Sequence, residues 1–171
     1  WGISAKGNKA NGTVQTVLAD SIQHTASGVE FDVNWDGNVQ PIKTSLYGDF
    51  NVENLLCVTA VMLAMGHTLP NIAAKLESIR PVAGRMERCG TATNGINVFV
   101  DYAHTPDALY RVLASLHQHC QQSLWVVFGC GGNRDVGKRP QMGKIAEQWA
   151  DKVIVTDDNP RFEDNQEIAK E

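Results

Sequence analysis

The sequence is short of every feature that would take it out of the ordinary globular class. No apolar run approaches the ~20 residues that span a bilayer, and the start lacks the charged and apolar regions of a signal peptide. Positive charge is scarce. Lys and Arg number 15 against 19 Asp and Glu, for a net charge of -4, so the basic stripe of a nucleic-acid surface is missing. Cysteine is limited to Cys57, Cys89, Cys120 and Cys130. None belongs to a C-x-x-C pair, and His117 and His119 beside Cys120 lack a matching cluster. Scattered reduced thiols in a cytosolic protein are expected over zinc or disulfides. There is no internal repeat or low-complexity tract. Trp1 stands where a Met would open a complete chain, so a piece of something longer is expected.

What is present is enough apolar material, 43% of 171 residues, to bury the core of one ordinary domain or two small ones. Up to about Leu46 the chain alternates as strands do, in "VQTVLADSIQ" and "GVEFDVNWDGNVQPIKTSL". Asp36-Gly37 predicts a tight hairpin turn. Val52 to Met65 is apolar enough for a buried helix, stopped at Gly66. Leu69-Pro70 opens a second helix that Pro81 ends, and "PVAGR" follows as a linker. Beyond it, strands and helices alternate. "INVFVDYA", "SLWVVFG" and "KVIVT" are the strands. "TPDALYRVLASLHQH", "RPQMGKIAEQWAD" and "NQEIAKE" are the helices, the first with Thr105 as N-cap and Pro106 behind it. That order predicts an α/β fold with parallel strands, whose ligands bind at the strands' carboxyl ends.

Three polar clusters fall at those ends. "GCGGNRDVGKRP" lacks two familiar fingerprints by one residue each. A G-x-G-x-x-G motif from Gly129 meets Arg134 where glycine is needed, and a phosphate loop through Gly132, Gly137 and Lys138 meets Arg139 where a hydroxyl should hold Mg²⁺. Its glycines and cations near a helix start suit an anion, and a glycine-rich turn with solvated charges is the plainer reading. "VDYAHTPDAL" sets Asp101 and His104 before a capped helix. They suit a ribose and a phosphate, or simple turn and helix-dipole duties for Asp101 and Asp107. In "VTDDNPR", Pro160 holds Asn159 extended. Arg161 then suits a carboxylate or phosphate, and Asp157 or Asp158 an ammonium. A proline turn with an internal Arg–Asp pair is the alternative. In the first half, Asn51 and Asn54 lie three apart on one helical face, placed to cap the helix or to read a base edge. Arg85 in the linker is a solvated charge or a phosphate contact.

Taken together, "YGDFNVEN", "RPVAGRMER", "VDYAHTPDAL", "VFGCGGNRDVGKRPQMG" and "VTDDNPR" resemble the Mur ligase family, in the family's order and over most of the chain from Tyr47 onward. Residues 1–46 share only its general character. Within the family the likeness is to the members that add meso-diaminopimelate to UDP-N-acetylmuramoyl-L-alanyl-D-glutamate. The resemblance implies an α/β chain in two parts. Residues 1–83 would be the end of the central ATPase-like domain, and residues 84–171 the start of a Rossmann-like C-terminal domain that brings the incoming amino acid.

The resemblance also implies chemistry. ATP with Mg²⁺ phosphorylates the D-glutamate side-chain carboxylate, and the amine of diaminopimelate attacks the acyl phosphate. Arg134, Asp158, Asn159 and Arg161 would bind diaminopimelate. Asn54 would contact adenine, and Arg85, Asp101 and His104 phosphate or ribose. Relatives that add lysine lack the arginine at Arg161. Asn133 stands where an acidic residue is usual. The true phosphate loop and the modified lysine that helps hold Mg²⁺ fall outside these residues. So this stretch alone is expected to be inactive, with no certain catalytic residue and no metal ligand. A cytoplasmic monomer is expected, without nucleic acid or membrane insertion. Its substrates would be UDP-MurNAc-dipeptide and diaminopimelate. The rival readings are a folylpolyglutamate synthetase-like ligase and a non-catalytic nucleotide-binding module.

Overall fold

The computed structural model describes residues 2–5, 15–91 and 95–171. They form two compact units, Trp1–Val100 and Asp101–Glu171.

In the first unit, β1 (Gly2–Ser4), β2 (Thr16–Thr25), β3 (Gly28–Trp35) and β4 (Asn38–Thr44) form one sheet in that order. β1 runs parallel to β2, and the other two pairs are antiparallel. The β3–β4 hairpin follows from two residues. Trp35 pairs with Asn38, leaving Asp36 and Gly37 as the whole loop, with φ of 50° and 78°. Positive φ at both central positions matches the right-handed twist of the strands, which is why Asp-Gly is favoured there. Alternation then sets the faces. Val29, Phe31 and Val33 of β3 are buried, with Ile42 opposite Phe31 on β4.

Two helices cover the buried face. α1 (Asp49–Ala64) contributes Val52, Leu55, Leu56, Thr59 and Leu63, at the spacing of one helical face. α2 (Leu69–Leu76), with Pro70 in its first turn, adds Leu69, Ile72, Ala73 and Leu76. The Thr59 hydroxyl, fully buried, donates to the Leu55 carbonyl at 2.8 Å. The sequence density between Val52 and Met65 suggested a buried helix. Among the described residues one face is covered, and Val58, Val61 and Met65 are exposed.

One element was not foreseen. β5 (Glu87–Thr91) pairs antiparallel with β6 (Asn97–Val100) in a two-stranded ribbon. The strand read in "INVFVDYA" therefore pairs with its chain neighbour rather than with a later parallel strand. A short connection permits only antiparallel pairing, and the Asn94-Gly95 dipeptide was the available signal. The ribbon groups with the first unit, where the Phe99 ring meets the Tyr47 ring edge-on at 4.7 Å between centroids.

The second unit contains α3 (Pro106–His119), β7 (Trp125–Phe128), α4 (Lys138–Trp149), β8 (Lys152–Val155) and α5 (Asn165–Lys170). β7 and β8 are parallel, from Trp125 opposite Lys152 to Phe128 opposite Val155, and α4 is their crossover. Caps start the helices as the sequence indicates. The Thr105 hydroxyl accepts from Ala108 N, and the Asp164 carboxylate from Gln166 N and Glu167 N. The core joins Leu109 and Leu113 of α3, Val126 of β7, and Met142 and Ala146 of α4. The opposite side chains of β7, Trp125 and Val127, are 60% and 62% exposed.

Leu56 is fully buried at the centre of the first core. Leu56→Ala should lower stability by about 2–5 kcal/mol, the range for a buried leucine truncated to alanine. Urea denaturation should show a lower midpoint at unchanged slope.

Candidate functional site

Because β7 and β8 are parallel neighbours, the loops leaving their carboxyl ends start side by side. Thr156 N donates to Phe128 O at 2.9 Å, extending the ladder one step past the strands. The loop over 129–137 then meets the loop over 156–164. Gly132 N donates to Asn159 O at 2.9 Å. The Arg161 guanidinium donates from Nη1 to Gly132 O at 2.5 Å. Phe162 N donates to the Asn133 side-chain oxygen at 3.0 Å, and Asn133 N donates to the Glu163 carboxylate.

Glycine is obligatory for this approach. A Cβ on residue 132 would lie 1.8 Å from the Pro160 carbonyl oxygen, and one on residue 129 would lie 2.4 Å from that of Thr156. Gly129 and Gly132 thus admit a second backbone. Part of the anion reading of this loop is also taken up internally. Lys138 Nζ donates to the His104 carbonyl at 2.8 Å. Arg139 is buried and bridges Glu163 and Glu171, at 2.8 Å to each. Arg134 is exposed.

The second loop is shaped from within. Asn159 N donates to Asp158 Oδ1 at 2.7 Å, and Arg161 N donates to Asn159 Oδ1 at 3.1 Å. Arg161 has φ of 51°, a left-handed conformation that costs a non-glycine residue roughly 1–2 kcal/mol. That turn folds the guanidinium back over Gly132. Among the described residues no ion pair joins Arg161 to an aspartate, so the internal Arg–Asp pair considered from the sequence does not form. A cleft of about 500 Å³ lies beside this loop, lined by Asp157, Asp158, Arg139, Thr156, Ile168 and Glu171 among others, but not by Asn159 or Arg161.

The other sequence candidates divide between the units. In the second, Asp101 Oδ1 accepts from Ala103 N at 2.8 Å, which is the turn duty allowed for it. His104 is exposed, its Nδ1 lies 3.0 Å from the Tyr102 carbonyl oxygen, and its ring packs edge-on against Tyr102. In the first, α1 starts after Gly48 without a side-chain cap. Asn51 Nδ2 instead donates back to Tyr47 O at 2.9 Å, and Asn54 Nδ2 donates to Asn51 Oδ1 at 3.3 Å. Arg85 is exposed in the turn before β5.

Sequence reading missed Glu163. Its carboxylate accepts on one oxygen from Asn133 N and on the other from Arg139, so it ties both loops to α4. These contacts, Asn133 N first and Arg139 next, hold its pKa below the ordinary glutamate value. Nothing in local spacing marked it, because its partners lie 24 and 30 residues away. Burial pushes the Cys130 thiol up, so this cysteine is a poor nucleophile.

A parallel strand pair with helical crossover and interlocked loops at its carboxyl end is the arrangement of a Rossmann-like domain, in which ligands bind at that end of the sheet. Residues 84–171 match the family described as "Mur ligase, glutamate ligase domain", and the chain belongs to the Mur ligase family. It is 49% identical over 154 residues to the UDP-N-acetylmuramoyl-L-alanyl-D-glutamate--2,6-diaminopimelate ligase of Xanthomonas oryzae pv. oryzae, covering 90% of this chain and 31% of that protein. A solved structure of a ligase of the same name aligns at a TM-score of 0.71 and 36% identity, covering 97% of this chain and 33% of the other. The folylpolyglutamate synthase of Thermotoga maritima aligns at 0.66 with 19% identity, over 91% of this chain and 37% of the other, a likeness of fold alone. The chain spans about a third of the length of the curated relatives it matches.

Two outcomes test the geometry. Gly132→Ala should cost about 1–3 kcal/mol by forcing the loops apart, read as a lowered melting temperature. Glu163, with its folded pKa depressed, contributes stability above the ordinary value of about 4.3. That contribution is lost as pH falls through the folded value. Melts between pH 6 and 3 should therefore show less loss on acidification in Glu163→Gln than in the wild type.

Proposed function

We propose that this chain is part of an ATP-dependent ligase of peptidoglycan precursor synthesis. The full enzyme joins the amine of meso-diaminopimelate to UDP-MurNAc-L-Ala-D-Glu through an acyl phosphate. The observation that carries the reading is the fold-back of Arg161 over the glycine-rich loop, which sets a guanidinium in a restrained direction at the sheet's binding end.

In this reading Arg161, Asn159 and Arg134 take the far carboxylate of diaminopimelate, and Asp158 takes its ammonium. Lysine lacks that carboxylate. A site built to satisfy it leaves guanidinium donors unpaired with lysine, and such losses separate substrates strongly. Binding and aiming the attacking amine is this chain's share of catalysis, a positional contribution. Asn54 would meet the adenine, and Arg85, Asp101 and His104 the ribose and phosphates. Among the described residues no group of three His, Cys, Asp or Glu is placed to hold a metal. We place the domain boundary near Ala83, with residues 1–83 from the central domain and 84–171 from the Rossmann-like one. The enzyme would work as a monomer in the cytoplasm, and no helix among the described residues is long and apolar enough to cross a membrane.

The folylpolyglutamate synthase likeness supports a common fold, but the second carboxylate of glutamate lies two carbons nearer its amine than that of diaminopimelate, short of arginines placed for the longer acid. The test is substrate preference in the full-length enzyme. Arg161→Ala should raise the diaminopimelate KM by roughly 10- to 100-fold, the worth of one charged hydrogen bond. It should also erase the preference over lysine. Equal use of lysine by the wild type, or a preference that survives the substitution, would refute the assignment.

A further inference from the structure

Arg139 is the residue the reading above leaves without a task. Its side chain is 2% exposed, and its Nε has no hydrogen-bond partner among the described residues. Burying a guanidinium is costly unless its partners are well placed. Both terminal nitrogens are so placed, Nη2 on Glu163 and Nη1 on Glu171.

The chain of contacts from Glu163 is specific. Its second oxygen accepts from Asn133 N, and the Asn133 side chain accepts from Phe162 N. Asn133 precedes Arg134, and Phe162 follows Arg161. The tie therefore grips the backbone immediately beside each of the two arginines assigned to diaminopimelate. Asn133 and Arg161 both hold positive φ, 52° and 51°, so their conformations need outside support.

We propose that Arg139 is a positioning residue which, acting through Glu163, fixes Arg134 and Arg161 at the spacing that selects an amino acid with a second carboxylate. The proposal rests on the diaminopimelate reading. Arg139 touches no substrate in it. Its fork holds Glu163, Glu163 holds Asn133, and the two loops move as one body. Lysine at this position keeps the charge but has no fork to reach both carboxylates.

The test uses the full-length enzyme with Arg139→Lys and Glu163→Gln, assayed with diaminopimelate and with lysine. In both variants the KM for diaminopimelate should rise about tenfold, with kcat changed less than about threefold, as expected when positioning is loosened. The preference over lysine should shrink, and the KM for ATP should stay unchanged. Glu163 is partly exposed, so Glu163→Gln should fold even where Arg139→Lys does not. Unchanged diaminopimelate KM and preference in a folded variant would overturn the proposal. So would equal rises for ATP and diaminopimelate, or loss of folding in both variants, since the tie would then serve stability alone. Arg161→Ala is run alongside. If it abolishes the preference while the two tie variants do not, the substrate reading stands and only the positioning role fails.

Discussion

The second unit depends on one close approach, the Pro160 carbonyl lying where residue 132 would otherwise carry a side chain. Two loops from adjacent parallel strands can interlock only if one gives up its Cβ at the crossing. With the backbones in contact, amides that would face water find carbonyls and side-chain oxygens across the junction. Gly132 N meets Asn159, Phe162 N meets Asn133, and Arg161 closes over Gly132 O. The site is thus a joint held by backbone geometry, with its polar side chains mounted on it.

This changes how the glycine-rich stretch is understood. By composition it resembles a phosphate cradle, and one reading of it was an anion site. Two of its three cations have internal duties, Lys138 on the His104 carbonyl and Arg139 between two glutamates. A buried guanidinium between carboxylates contributes little net stability relative to an apolar filler, yet it demands one geometry. Such a group suits a place where direction matters more than affinity.

The first unit has a different logic. Its sheet and helices bury one continuous core through strict alternation in β3 and one face of α1. Yet α1 leaves Val58, Val61 and Met65 exposed, and in the second unit β7 leaves Trp125 and Val127 exposed. The helix is apolar on two faces because its sequence is, and covering elements within the described residues reach only one.

Local sequence determined the elements whose causes are local. Asp36-Gly37 dictated a two-residue turn because both positions need positive φ, and Thr105-Pro106 dictated a helix start because a hydroxyl meets a free amide there. The restrained backbone beside Arg161 was legible too, since Pro160 limits its neighbours over a few residues. The β5 strand was missed because it pairs with a later segment. Glu163, the duty of Arg139 and the need for glycine at 132 were decided only by tertiary structure. Each is a meeting of atoms more than 20 residues apart in the chain, set by the parallel register of β7 and β8, and no spacing along the sequence records which backbone will lie against which.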